Sequence, residues 1–205
     1  MHQSIHYSKE TDEKVCYLTF DDGYPYYNTN KMCDILVENS VTATFFLTGD
    51  FIDEASSTTK KLVDSNMIVA NHTWSHKQLK KLSKKDILNE FTAFEQKYEK
   101  ITNKKLVKYF RPPGGIYTKD KLDYIISLGY EVFFWTIDYY DYDRQNDMGV
   151  TYAYDSIMDN IKNGDIILMH TLTESNVLVL PRIINDLQAK GFRFGSLEEF
   201  TKNNV

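Results

Sequence analysis

The sequence predicts an α/β fold, a distorted or incomplete (β/α) barrel of about seven units. Three observations lead there. Short apolar runs rich in β-branched and aromatic residues alternate with stretches of helical period along the whole chain. The apolar runs are continuous, as in parallel strands covered on both faces by crossover helices. The length of 205 residues fits one core but sits at the short end for eight full units.

Residues 1–14, MHQSIHYSKETDEK, are polar and read as an N-terminal extension to one domain spanning residues 15–205. Residues 15–20, VCYLTF, form a buried strand. Residues 30–40 are helical, with Met32, Ile35, Leu36 and Asn39 at helical spacing. TATFFLT (42–48) is strand, 54–65 helix, and MIVAN (67–71) a short strand. Ser83 caps a helix with Asp86 in its first turn, and Ile87, Phe91, Phe94, Tyr98 and Ile101 share one face as far as Thr102.

LVKYF (106–110) is strand, and 118–128 is a helix closed by Gly129. YEVFFWTI (130–137) is strand, 153–163 a helix closed by Gly164, and DIILMH (165–170) strand. A helix over 176–190 ends at Gly191, with Pro181 as an expected break. FRF is a last short strand, and Ser196 with Glu199 is a capping box opening a terminal helix.

Composition excludes several classes. The formal charge is -5, and no Lys/Arg stripe suits a nucleic-acid partner. The densest basic stretch, KQLKKLSKK (77–85), is a solvated loop and helix start. Cys16 and Cys33 read as buried free thiols rather than a disulfide or metal pair. No apolar run is long enough to span a membrane, and no export signal is visible. The chain therefore reads as cytoplasmic or as the mature part of an exported protein. Its 15 Tyr and 12 Phe would suit a sugar groove, although core packing accounts for most such residues.

The polar residues that matter fall where strands end, which is where barrels of this kind carry catalytic groups. The strand at 15–20 runs into Asp21 and Asp22, and that at 67–71 into His72 and His76. The strand at 106–110 runs into Arg111, that at 130–137 into Asp138, and that at 165–169 into His170. Each piece alone is common: an Asp pair is usually a turn, an HxxxH pair usually surface or core, RPPGG usually a loop. Five buried strands ending in charge at one rim are harder to explain as packing.

Chemistry accounts for them. His72, His76 and Asp22 form a His/His/Asp set that leaves one zinc position open for water, whose pKa then falls toward ~7. Asp21 is left for acid–base work, with Arg111 keeping it ionised. His170 can donate a proton to a leaving group, with Asp138 keeping the imidazole charged. The parts describe metal-assisted hydrolysis of an amide or ester.

The blocks TFDDG (19–23), HTWSH (72–76), RPPGG (111–115), WTID (135–138) and LMH (168–170) resemble, in order, the five motifs of the polysaccharide deacetylases, the NodB-like carbohydrate esterases of family 4. The resemblance covers Val15 to Phe200. It implies a distorted (β/α) barrel using Zn²⁺ or another divalent metal held by Asp22, His72 and His76. It implies catalytic roles for Asp21 as base, Arg111 as its partner, His170 as acid and Asp138 as tuner of that acid. Gly114, through its backbone N–H, with Leu168 and Trp135, would serve the oxyanion and the acetyl group. Two departures stand out. Many members have an aromatic residue where Gly114 stands, and DYYDYD (138–143) offers Asp141 as a rival to Asp138.

YLTFDDGY, NHTWSH, YAYDSIM and GFRFGSLEEF further resemble the spore-former branch that deacetylates N-acetylmuramic acid on the way to muramic δ-lactam in the cortex. That likeness implies a peptidoglycan glycan strand as substrate, an upstream amidase as a further partner, extracytoplasmic action, and an export signal or anchor that this sequence lacks. The alternatives are an N-acetylglucosamine deacetylase acting on peptidoglycan or chitin oligosaccharides, an esterase acting on the acetyl esters of xylan, and a catalytically dead sugar-binding module.

Overall fold

The computed structural model describes residues 4–23 and 27–202. Residues 1–3, the segment Tyr24, Pro25 and Tyr26 after the aspartate pair, and the last three residues lie outside that range. Along the chain run β1 (Ile5–His6), β2 (Val15–Asp22), α1 (Thr29–Glu38), β3 (Thr44–Leu47), α2 (Gly49–Glu54), α3 (Ser56–Asp64) and β4 (Ile68–Asn71). They are followed by α4 (Lys84–Thr102), β5 (Tyr109–Phe110), α5 (Lys119–Ser127), β6 (Glu131–Phe133), α6 (Val150–Met158), β7 (Ile166–His170), α7 (Glu174–Ala189), β8 (Arg193–Phe194) and α8 (Leu197–Lys202).

The eight strands form one parallel sheet in the order β1-β6-β5-β4-β3-β2-β7, with β8 paired to β2. The sheet curls until its sides meet. Beyond β6 the chain bends and rejoins β7: Ile137 bridges Ile167, and the Leu168 N–H donates to the Ile137 carbonyl at 2.9 Å. The expected distorted barrel is therefore present, with irregular short strands in its wall.

β2 pairs with three strands, β3, β7 and β8, and is buried throughout. Neighbouring side chains on a strand face opposite ways, and β2 shows it. Cys16, Leu18 and Phe20 pack outward into one core with Met32, Cys33 and Leu36 of α1 and with the buried face of α7. Val15 and Tyr17 point inward to a second core with Phe46, Ala70, Tyr109, Phe133 and Ile166, plugged from below by Leu197 and Phe200 of α8. Asp21 shares the inward parity and Asp22 the outward one. The adjacent carboxylates of the sequence thus leave the strand in different directions, and at its end both reach the same cavity.

Some expectations are corrected. β1 lies inside the stretch read as a polar extension; two residues paired to β6 leave no pattern in the sequence. β5 begins at Tyr109 rather than residue 106, because β4 and β6 meet it only at Tyr109 and Phe110. α6 starts at Val150 and ends at Met158. Pro181 does not break α7, which runs through it. A mid-helix proline costs ~3 kcal/mol or more, and the burial of Val179, Leu180, Ile183, Ile184 and Leu187 around it offsets that.

Candidate active site

The upper layer of the barrel interior is polar. Asp21 and Asp22 end β2, His72 follows β4, Arg111 follows β5 and His170 ends β7. In the β2–β7 register Asp21 lies opposite His170.

Arg111 is fully buried, and Nη1 donates to Asp21 Oδ1 at 2.8 Å. Its other nitrogens donate to the carbonyls of Phe133 and Phe134 at 3.3 and 3.1 Å. The guanidinium lies 4.2 Å over the Phe46 ring and 5.5 Å from that of Trp135. This bonding fixes the cation and aims it at one oxygen. Burial alone would push the Asp21 carboxyl up, but the charges of Arg111, His72 and His170 outweigh it and hold the group below its ordinary value.

Asp22 is treated differently. The Thr29 hydroxyl donates to Oδ2, while Oδ1 is buried with no hydrogen-bond partner. Burial pushes this carboxyl up to about 6, against the hydrogen bonds of Thr29 and Thr171. An orphaned buried carboxylate oxygen is costly, and a cation would satisfy it.

The two histidines fit the same purpose. His72 Nδ1 donates to the Arg111 carbonyl at 2.8 Å, which leaves the Nε2 lone pair free, 3.5 Å from Asp21 Oδ2. A histidine anchored by one nitrogen on a carbonyl presents the other as a metal ligand. Burial pushes His72 down to about 4, so it is neutral, as a ligand must be. Burial also lowers His76, whose ring centre lies 5.0 Å from that of His72. Among the described residues no group of three or more His, Cys, Asp or Glu side chains is arranged to hold a metal ion. The donor types, the orphaned oxygen and the neutral imidazoles nonetheless suit a divalent ion.

The loop joining the histidines is held by a residue outside every motif. Glu90 of α4 accepts from the Trp74 and Ser75 N–H groups at 3.1 and 3.2 Å and from the Ser75 hydroxyl at 2.6 Å. Asn71 Oδ1 accepts from the Thr73 N–H at 2.7 Å. These bonds sustain left-handed backbone at Thr73 (φ 67) and His76 (φ 55), which non-glycine residues adopt at a cost. Trp74 seats against Gly49, where an added Cβ would fall 2.2 Å from the indole. A Glu eighteen residues past the motif's start, on a helix face, carries no local signal, so sequence reasoning missed it.

His170 is paired with Asp141. Its Nδ1 donates to Asp141 Oδ1 at 2.6 Å and its backbone N–H to Oδ2 at 2.7 Å. Asn176 Nδ2 donates to the same Oδ2 at 2.7 Å, and the Tyr139 hydroxyl donates to Asn176 at 2.7 Å. Burial works against charge on His170, but the Asp141 hydrogen bond and charge, with Asp21 and Asp22, raise its pKa overall. The expected partner, Asp138, is exposed. This is a correction with a plain cause: Ile137 is tied to β7, Asp138 faces away, and the turn through Tyr139 and Tyr140 swings Asp141 over the imidazole.

These groups open on a cavity of about 390 Å³ lined by Asp21, Asp22, His72, His76 and His170, with Tyr27, Tyr142 and Arg144 on its walls. Gly114, Leu168 and Trp135 do not line it. Leu168 is buried on β7, opposite Thr19, beneath His170. Trp135 packs beside Gly115 and the Arg111 guanidinium. Gly114 is exposed in a left-handed turn (φ 61).

Residues 8–133 match the polysaccharide deacetylase family. The chain is 35% identical, over 94% of its length and 73% of the relative's, to the peptidoglycan-N-acetylmuramic acid deacetylase PdaA of Bacillus subtilis. The structure of Bacillus subtilis PdaA, a family 4 carbohydrate esterase, superposes with a TM-score of 0.95 at 33% identity, covering 99% of this chain and 87% of that one. BA3943 of Bacillus anthracis, a pseudoenzyme of the same family, superposes with a TM-score of 0.88 at 26% identity, covering 98% of this chain and 70% of that one.

Proposed function

The chain belongs to the polysaccharide deacetylases of carbohydrate esterase family 4, and on that premise we propose that it removes the acetyl group from N-acetylmuramic acid in peptidoglycan. The observation that carries this reading is the 35% identity to a muramic acid deacetylase over nearly the whole chain. The polar layer described above is what such a hydrolysis needs. Action on peptidoglycan lies outside the cytoplasm, and no helix among the described residues is long and apolar enough to cross a membrane. In this reading the product feeds muramic δ-lactam formation in spore cortex, after an amidase has removed the peptide.

Asp22, His72 and His76 would hold the divalent metal on which the family depends, Zn²⁺ by their nitrogen and oxygen donors. When bound, that ion would lower the pKa of a water and polarise the acetyl carbonyl. The protein's own groups carry the protons. Asp21, kept ionised by Arg111, takes one from the water as it attacks the carbonyl carbon. His170, kept charged by Asp141, gives one to the amide nitrogen as the C–N bond breaks. Acetate and a free amine result.

A second reading, a catalytically dead sugar binder, has a family precedent in the BA3943 pseudoenzyme. The complete acid–base pairs Asp21–Arg111 and His170–Asp141 weigh against it. Acetate release from amidase-treated peptidoglycan by the Zn²⁺-loaded protein tests the choice. Release from muramic residues supports the first reading, and none from any glycan supports the second.

A further inference from the structure

Arg144 is the only Arg or Lys among the described residues lining the catalytic cavity, and no described carboxylate pairs with it. It begins a short 3₁₀ turn, Arg144–Asn146, pinned by the residue before it. Asp143 accepts from the Gln145 N–H at 2.9 Å, Asn146 Nδ2 at 2.6 Å and the Tyr140 hydroxyl at 3.2 Å. Asp147 is likewise occupied, by the Gly149 and Ser175 N–H groups. The acids of its own loop are therefore committed elsewhere. The guanidinium crosses to Tyr27 and lies 4.0 Å over that ring.

Stacking of this kind holds the fork flat and leaves its N–H edges open. The cavity otherwise carries three carboxylates, Asp21, Asp22 and Asp50. A pre-positioned cation with no internal anion, on the wall of the catalytic cleft, suits a negative group brought by the substrate. N-Acetylmuramic acid differs from N-acetylglucosamine by a lactyl ether that ends in a carboxylate, free only once the peptide is removed.

We propose that Arg144, laid on Tyr27, binds that lactyl carboxylate through its guanidinium fork and so selects peptide-free muramic acid over N-acetylglucosamine. This rests on the muramic acid reading of the active site. It also fixes the reaction that must come first, hydrolysis of the amide that caps the lactyl group. The loop from Asp141 to Arg144 then does two things: Asp141 orients the acid, and Arg144 orients the sugar beside it.

The test uses one muramic acid-containing tetrasaccharide in two forms, with lactyl carboxylates free or methyl-esterified. Acetate release by the Zn²⁺-loaded protein gives kcat/KM, and calorimetry with metal-free protein gives Kd for the free acid. Wild type should favour the free acid by about tenfold or more, the range for a hydrogen-bonded charge. R144Q should erase that preference, with the loss falling on KM more than on kcat. R144K should restore part of it, since an ammonium keeps the charge without the fork. An undiminished preference in R144Q overturns the proposal. Suppose instead that wild type cleaves only N-acetylglucosamine oligomers, so that the muramic reading fails. Calorimetry then decides: a Kd for the free acid about tenfold weaker in R144Q upholds the subsite, and equal Kd values, or no binding by either protein, overturn it.

Discussion

Arg111 Nη1 lies 2.8 Å from Asp21 Oδ1, and both side chains are shut away from water at the top of the barrel. The pair is an ion bridge in a low-dielectric site whose second carboxylate oxygen faces His72. Removing one partner of such a pair strands the other. R111A should cost about 3–5 kcal/mol in stability, measured by urea unfolding at neutral pH.

The pH dependence of that stability has a definite sign. The folded-state pKa of Asp21 lies below its ordinary value, so the contribution is present above the unfolded pKa and is lost as pH falls through the folded one. Wild type should lose stability on acidification below about pH 4, starting from the ordinary aspartate value. That component should vanish in D21N. A wild type and D21N with parallel acid unfolding curves would contradict the assignment.

Asp141, not Asp138, should govern the acid. The folded pKa of His170 is raised, so its charged form persists to higher pH with Asp141 present. D141N should shift the alkaline limb of the rate profile to lower pH and slow turnover by about 10²-fold or more. The corresponding stability is full below the unfolded histidine pKa and is lost as pH rises through the folded one. D138N should leave the profile where it is, since the Asp138 side chain is exposed.

The Glu90 clasp on the HTWSH loop should be felt as metal affinity. E90A should weaken Zn²⁺ binding about 10–100-fold by calorimetry on metal-free protein. E90Q, which keeps one acceptor, should fall between. Equal affinities in all three would mean that the loop holds its shape unaided.

Gly49 should not tolerate a side chain. An alanine Cβ would meet Trp74 at 2.2 Å, forcing the indole off its seat. G49A should cost about 1–3 kcal/mol and shift Trp fluorescence. An unchanged melting temperature and spectrum would contradict the packing described.

How legible all this was follows from where each signal lives. The long apolar runs gave β2, β3 and β7, because a buried parallel strand cannot hide its composition. The charges ending those runs marked the site for the same reason. Asp141 was only a rival to Asp138 because the chain after β6 is irregular, and strand alternation cannot say which carboxylate of DYYDYD faces in. Glu90 and Thr29 act across tertiary contacts, through helices whose own pattern concerns only their buried faces. Arg144 carried no motif; what marks it is the cavity it lines and the acids it does not touch, both properties of the folded chain. β1 was invisible because two residues make no period.

The central claim is that Asp21 does acid–base work beside a metal held by Asp22, His72 and His76. It is tested most directly by pairing D21N with H76A, scored for Zn²⁺ stoichiometry and for muramic deacetylation by mass spectrometry of amidase-treated peptidoglycan. The account predicts that D21N binds one equivalent of Zn²⁺ yet leaves muramic acid acetylated, while H76A loses the metal and the activity together. A D21N protein that still deacetylates muramic acid at near the wild-type rate, or an H76A protein that keeps its zinc, would contradict it.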